Sequence, residues 1–353
     1  MWPFNQKQSL GIDIGTASIK LVQLSKKGDG FKLDTYGEFK VENYLEYIKK
    51  ENGVSYLKLV DEDIVRIIKF LLKESKAKSR NVTMSLPTLS TLTTIINLPA
   101  MPSNELGTAI NYEAQKYIPI PLEEVILDPQ FINTDATTGS LEVFVAAFPK
   151  ELVDGYSRIA KLADLKLKAF ELETYALIRS LIYPAKEAMI ILDIGATSSN
   201  ISVIDNGFIA ITHNLDISGS MMTGMIVNSL GLEKKRAEEL KIKEGIIGQG
   251  GEKEISKIID PLINFVISEV ERVIDIYSKK TGHPIVKIIL SGGSANIKGL
   301  PERFLNNLKI ETVVADPFSK TYDPESLQSV LKEIGPSFSV AVGLAMKELI
   351  TSS

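Results

Sequence analysis

The sequence of 353 residues contains no cysteine, two histidines and one tryptophan. Without cysteine, disulfides, thiolate nucleophiles and cysteine metal sites are excluded. His213 and His283 alone give too little imidazole for a histidine metal centre or a hydrolase triad. Charge of one sign is also lacking: 40 Lys+Arg against 44 Asp+Glu leave a net −4, which argues against a general nucleic-acid binder. No apolar run approaches the roughly 18 residues that span a bilayer. MWPFNQKQSL, at the start, is too short and polar for a secretory signal. The expectation is a cytoplasmic protein, with Trp2 and Phe4 in a disordered end.

What the chain has instead is a repeat. LGIDIGTASIKLVQL at residues 10–24 ends an apolar strand pattern with an aspartate and, two positions on, a glycine; IILDIGATSSNISVI at residues 190–204 does the same. Asp13 falls on Asp193, Gly15 on Gly195 and Ser18 on Ser198, a shift of 180 positions. Repeat arrays have periods of about 20–50 residues, so one long shift points to two related domains. A hydrophobic share of 44% over 353 residues fits a soluble chain with two or three cores. Each copy opens a three-stranded meander. GIDIG, SIKLVQL and FKLDTYGEFKV run around a KKGDG turn; MIILDIG, NISVI and FIAITHNLDI run around a DNG turn at 205–207.

Between and after the copies, helical spacing dominates. DEDIVRIIKFLLKES, residues 61–75, sets Ile64, Ile67, Ile68, Leu71 and Leu72 on one face behind Asp61 as a cap. Residues 81–164 read as a self-contained β-α-β-β-α stretch: TLTTIINL, the helix NELGTAINYEAQKYI stopping at Pro119, EVILDPQFI, LEVFVAAFP, and the helix KELVDGYSRIAKLADL. ELETYALIRSLI reads as a further helix, as do GSMMTGMIVNSLG and EKKRAEELKIKEG. Residues 255–280 give a long one, with Ile258, Ile259, Leu262, Val266, Val270, Val273, Ile274 and Tyr277 along a face and Pro261 near its start. PIVKIILSGG is a buried strand, and GPSFSVAVGLAMKELI closes the chain as a helix.

A strand that ends in Asp-x-Gly and turns back at once suits phosphate chemistry. The carboxylate can hold a hydrated Mg²⁺ through water. The glycine and the small residues after it let backbone N–H groups approach phosphate oxygens. Asp13 and Asp193 are therefore the expected Mg²⁺ contacts. Gly15, Thr16, Ala17, Ser18 and Lys20, with Gly195, Ala196, Thr197, Ser198 and Asn200, are the expected phosphate-binding residues. One such turn alone would read as turn capping; two in matching contexts carry the assignment. In LSGGSANIKGLPE, Gly292 and Gly293 leave room for a flat ring, with Ser294 and Ile297 beside it.

This order of motifs resembles the actin-like ATPase superfamily, which includes actin, Hsp70, sugar kinases, MreB and FtsA. The resemblance implies an α/β fold of two duplicated ribonuclease-H-like domains around a nucleotide cleft, with ATP and Mg²⁺ as ligands. LSGGSANIKGLPE resembles the adenosine motif and GPSFSVAVGLAM the closing connector. RAEELKIKEG resembles the segment whose Glu and Lys lie near adenosine, which nominates Glu238 and Lys241. FELETYALIRSL resembles the first connector, which nominates Glu173 to position an attacking water; a solvated helix carboxylate explains that residue equally well.

NYEAQKYIPIPLEEVILD, with DIGTASIKLVQL and IGPSFSVAVGLAM, is similar more narrowly to the PilM family of type IV pilus assembly. That resemblance implies an FtsA-type inserted subdomain at residues 81–164. Domain I would be residues 1–80, 165–188 and 335–353. Domain II would be 189–334, with a helical part at about 219–283. It further implies a groove for the cytoplasmic N-terminal peptide of PilN, an inner-membrane protein, to which Tyr117, Ile118, Pro119 and Ile120 are assigned; the same run also reads as a helix stop stapled into the core. Contacts with other pilus inner-membrane components, self-association, peripheral placement at the inner membrane through partners, and at most a slow ATPase complete what it implies. Two rivals remain at this level. A sugar kinase would need a sugar-binding constellation, which the cleft segments lack, and FtsA carries an amphipathic membrane helix after its connector. IIGQGGEKE is glycine-rich but follows no strand and lacks GxxxxGK[ST], so a loop is expected there and not a P-loop.

Overall fold

The computed structural model describes residues 7–41, 47–49, 55–57, 61–134, 139–182, 186–246 and 253–350. Trp2, Phe4 and most of the IIGQGGEKE loop lie outside them. The chain divides into two compact units, Met1–Ala176 with Val340–Ser353, and Leu177–Ser339.

In the first unit, β1 (Gln8–Ile14), β2 (Ser18–Lys27) and β3 (Gly30–Lys40) form an antiparallel meander. The expected KKGDG turn sits between β2 and β3. Burial is continuous over residues 9–14 of β1 and 18–25 of β2, so both faces of these strands are covered, with small or polar residues such as Ser9, Gly11 and Gln23 between the buried Leu and Ile side chains. A short hairpin follows, β4 (Tyr47–Lys49) with β5 (Ser55–Leu57). Helix α1 (Asp61–Glu74) buries Ile64, Ile68, Leu71 and Leu72, and Asp61, Glu62 and Asp63 favour its positive N-terminus. Lys76 ends it in the left-handed region, φ 54, while the Ala77 N–H returns to the Leu72 carbonyl.

Two further strands extend this sheet in parallel beyond β1: β6 (Asn81–Leu86) and β10 (Lys166–Leu172), in the order β10-β6-β1-β2-β3. Neither was expected as a strand of the main sheet. Between them a second sheet, β7 (Leu92–Leu98), β9 (Leu141–Pro149) and β8 (Val125–Thr134), takes the order β7-β9-β8. Helix α2 (Ser103–Ala114) covers one of its faces around Ile96, Ile110, Val143 and Val145. Helix α3 (Lys150–Leu162) then leads into β10.

The second unit repeats the plan. β11 (Met189–Ile194), β12 (Ser199–Asp205) and β13 (Phe208–Leu215) form the meander, and β14 (Lys287–Ser291) and β15 (Glu311–Val314) add parallel strands beside β11. The order β15-β14-β11-β12-β13 matches β10-β6-β1-β2-β3 strand for strand. The repeat in sequence is thus a repeat in topology.

Helices α5 (Gly219–Leu230), α6 (Lys234–Lys243), α7 (Lys253–Thr281) and α8 (Leu300–Leu308) contribute to this unit's core. The face of α7 is rotated slightly from the expected one. Ile255, Ile259, Ile263, Val266, Ile267, Val270, Val273 and Tyr277 are buried, while Ile258, Leu262 and Ile274 are only partly so. Pro261 lies inside the helix, in its third turn.

Two expected helices differ from what is seen. ELETYALIRSLI splits into α4 (Glu173–Leu177) and a wider π turn over Ile178–Ile182. The closing helix α9 runs over Gln328–Ile350, starting well before Gly335 and carrying Pro336 internally. Gly343 on α9 faces Ala176, where a Cβ would lie 1.9 Å from the carbonyl oxygen. Only glycine permits that approach.

Candidate nucleotide-binding site

The first Asp-x-Gly turn grows out of the β1–β2 pairing, where Asp13 stands opposite Lys20. The Gly15 N–H donates to the Ser18 carbonyl at 3.1 Å, closing the turn. Gly15 therefore supplies the tight geometry and not a free donor. Asp13 is 7% exposed and accepts from Ser85 Oγ at 2.8 Å. Burial raises its pKa, opposed by the positive charge of Lys20 and by the Ser85 hydrogen bond. Lys20 also approaches Glu38 at 3.9 Å. Thr16 and Ser18 are buried, and the Ala17 carbonyl is held by the Val41 N–H at 2.9 Å.

The second turn has the same backbone. The Gly195 N–H donates to the Ser198 carbonyl at 3.0 Å, and a Cβ on Gly195 would meet that oxygen at 2.9 Å. Asp193 pairs with Asn200 across the strands and is half-buried, as are Ala196, Thr197 and Ser198. The start of α5 braces this turn: Gly219 and Ser220 donate to the Gly195 and Ala196 carbonyls at 2.9 and 3.0 Å. Ser218 caps the helix by accepting from the Met221 N–H. Asn200 is already engaged, donating to Thr212 Oγ1 at 3.0 Å and Asn214 Oδ1 at 2.8 Å.

Beyond β14, Gly292 has φ 85 and ψ 171, a region open essentially to glycine alone. A Cβ there would lie 2.4 Å from the Ile194 oxygen, beside the second turn. Gly293 is exposed with nothing near its missing Cβ, so it retains the open face expected for a ring. Ser294 is buried, and Ile297 is 1% exposed within the hydrophobic core. The expectation that Ile297 flanks a ring is corrected: its apolar side chain turns inward.

Glu238 and Lys241 meet one turn apart on α6. Lys241 is 1% exposed, and its ammonium donates to the Gly219 carbonyl (3.0 Å), Thr223 Oγ1 (3.1 Å) and Glu238 Oε2 (2.8 Å). Three acceptors satisfy its three donors. Burial lowers its pKa, against the raising effect of Glu238. Lys241 is thus a positioning residue that fixes Glu238, whose side chain is 45% exposed. Thr223 also donates to Glu238 Oε2. Glu173 starts α4, half-buried, and its Oε2 accepts from the Thr88 N–H at 2.9 Å.

In the smaller sheet's region, Tyr117 is 56% exposed and Pro119 is exposed. Ile118 and Ile120 point into the core with Ile110 and Val125. Of the four residues assigned to a groove, these two serve as the staple.

Sequence reasoning missed Ser85, Ser218 and Thr223. Ser85 was hidden because β6 was not recognised as a neighbour of β1. Ser218 carried a usable signal, a serine directly before a glycine and an apolar helix. Thr223 lies 15 residues before Glu238, on the preceding helix α5, and nothing local announces the contact.

Comparison with known proteins adds three findings. The family model for type IV pilus assembly protein PilM matches residues 11–349. A solved PilM-PilN type IV pilus biogenesis complex is 26% identical, with TM-score 0.81 over 97% of this chain and 98% of that one. Ethanolamine utilization protein EutJ from Carboxydothermus hydrogenoformans (17% identical, TM-score 0.59, 98% and 91% covered) and MreB5 of Spiroplasma citri bound to ADP (12%, 0.54, 98% and 98%) share the fold.

Proposed function

The chain belongs to the PilM family of type IV pilus assembly proteins and has the actin-like ATPase fold, and from that premise we propose that it binds Mg·ATP and the cytoplasmic N-terminal peptide of a PilN-type membrane protein. The observation that carries the nucleotide reading is the pair of Asp-x-Gly turns, each closed by the same glycine N–H bond. Among the described residues no cluster of three or more His, Cys, Asp and Glu side chains could hold a metal directly. Single carboxylates at Asp13 and Asp193 fit a Mg²⁺ that rides on phosphate and is held through water. Thr16, Ala17, Ser18 and Lys20, with Ala196, Thr197 and Ser198, serve the phosphates. Glu238, fixed by Lys241, and the open surface at Gly293 serve the nucleoside. ATP supplies a charged ligand that favours one conformation over another, and turnover is slow.

The peptide reading is supported by the likeness to a PilM-PilN complex. An extended peptide would add backbone hydrogen bonds and apolar contacts, with Tyr117 and Pro119 as the available members of their run. Membrane association then comes through the partner. Fluorescence anisotropy of a labelled peptide from the cytoplasmic start of the PilN-type partner, titrated with the full chain with and without Mg·ATP, tests this. Saturable binding whose affinity changes with nucleotide is expected. Absence of saturable binding in both conditions overturns the peptide reading and leaves the nucleotide reading standing.

A further inference from the structure

The end of the first sheet away from Asp13 collects positive charge. Strand register places the start of β1 beside the end of β2, the start of β3 and, through Leu10↔Val82, the start of β6; β10 starts there too, with Lys166 opposite Asn81. Helices α1 and α3 end where β6 and β10 begin. At this end Lys27, Lys32, Lys76, Lys78, Arg80 and Lys166 are all exposed. Among the described residues the exposed acidic side chains there are Asp29, Glu74 and Asp164, the last paired with Lys69 at 3.3 Å, and the half-buried Asp34 lies 3.7 Å from Lys32. Leu162, 48% exposed, lies among them. On a chain of net charge −4 this is a strong local reversal of sign.

Lysines in the last turn of a helix answer its dipole, but none of these six residues lies inside a helix. The corresponding end of the second unit uses its lysines differently: Lys279 and Lys280 lie in the last turn of α7, where they answer the helix dipole, and Lys309 ends α8. That unit's corresponding hairpin reads Asp205-Asn206-Gly207, and Lys287 at the start of β14 is paired with Glu311 at 2.9 Å.

We propose that this end of the first unit docks directly on an anionic phospholipid surface. Its occupant is identified by charge complementarity and by the kind of cation used. Five of the six named residues are lysines, strongly hydrated point charges without the bidentate fork that suits specific carboxylate recognition. Lysine is depleted in protein interfaces, whereas basic clusters of this size match acidic lipid headgroups. The dipole set up by this patch on an acidic chain orients the molecule at such a surface. The seven-residue β1 keeps the Asp13 turn roughly 20 Å away, clear of the lipid. Direct lipid contact is separate from attachment through a membrane partner and needs no peptide.

Flotation of the full chain with phosphatidylcholine vesicles, with and without phosphatidylglycerol, tests the proposal. Binding to the anionic vesicles only, released by salt, is expected. The charge reversal Lys76→Glu/Lys78→Glu/Lys166→Glu lowers the partition coefficient about a hundredfold or more, and Lys76→Gln/Lys78→Gln/Lys166→Gln lowers it less. The control Lys279→Glu/Lys280→Glu/Lys287→Glu in the second unit stays within about threefold of wild type. Thermal melting near the wild-type temperature shows that the variants are folded. No flotation with phosphatidylglycerol overturns the proposal, as do equal losses in the control. Tighter binding of the wild type to duplex DNA than to anionic vesicles at the same salt would assign the face to nucleic acid instead.

Discussion

Asp13 and Asp193 end the same strand of the same meander, and each has a serine beside it on the neighbouring parallel strand. The two serines do different things. Ser85 donates to Asp13 at 2.8 Å, whereas Ser291, paired with Asp193 in the sheet, donates to the Pro336 carbonyl at 3.2 Å. Asp13 is buried and stands opposite Lys20; Asp193 is half-buried and stands opposite Asn200, whose amide is engaged elsewhere. The second turn is held by the first N–H groups of α5, and the first by the Val41 N–H. Glycine therefore makes one backbone twice, while the side chains divide the work. The first unit holds a buried, charge-compensated carboxylate, and the second a turn braced from behind.

The largest effect that would break this comparison lies in the bracing. Gly292→Ala forces a Cβ against the Ile194 oxygen in a conformation closed to alanine. It should cost about 3 kcal/mol or more, while Gly293→Ala stays within about 0.5 kcal/mol; urea denaturation measures both. Next comes Lys241→Met, which removes three hydrogen bonds and frees Glu238. A loss of about 2 kcal/mol is expected, together with weaker nucleotide binding by calorimetry. Glu238→Gln should weaken nucleotide binding with little loss of stability.

Asp13→Asn sharpens the electrostatic half of the comparison. The folded pKa of Asp13 is raised above its ordinary 3.8, so the folded state holds that proton more tightly than the unfolded chain. Its contribution to stability is therefore greatest below 3.8 and is lost as pH rises through the raised value. Asparagine carries no such loss. At neutral pH Asp13→Asn should raise Tm by about 1–3 °C, an advantage that vanishes in acid. The serines extend the same comparison. Ser85→Ala and Ser291→Ala each cost about 1 kcal/mol. Only Ser85→Ala should move the pH at which Mg·ATP binding fails in acid, upward, because Asp13 loses the bond that favours its ionised form.

The doubled architecture was legible because the motif recurs with its flanking strands, each a short β-branched and leucine-rich run bounded by a glycine turn. Less legible were β6 and β10. Each is a short strand next to a helix, and only pairing with β1 reveals it as part of the main sheet. The candidate site shows the same limit. Residue types at the turns follow from what a phosphate needs, but burial decides roles. Lys241 and Ile297 carry the right chemistry for a ligand and are each 1% exposed, because α6 and the turn after β14 pack them inward. Tyr117 and Ile118 are neighbours in sequence, yet the helix stop sends one to solvent and the other into the core.

The central claim, that both Asp-x-Gly turns serve one Mg·ATP, is tested most directly by isothermal titration calorimetry of Mg·ATP into wild type, Asp13→Ala and Asp193→Ala. One site per chain is expected in the wild type, with affinity falling about tenfold or more in each variant. Unchanged affinity in both variants, with folding intact, would contradict it.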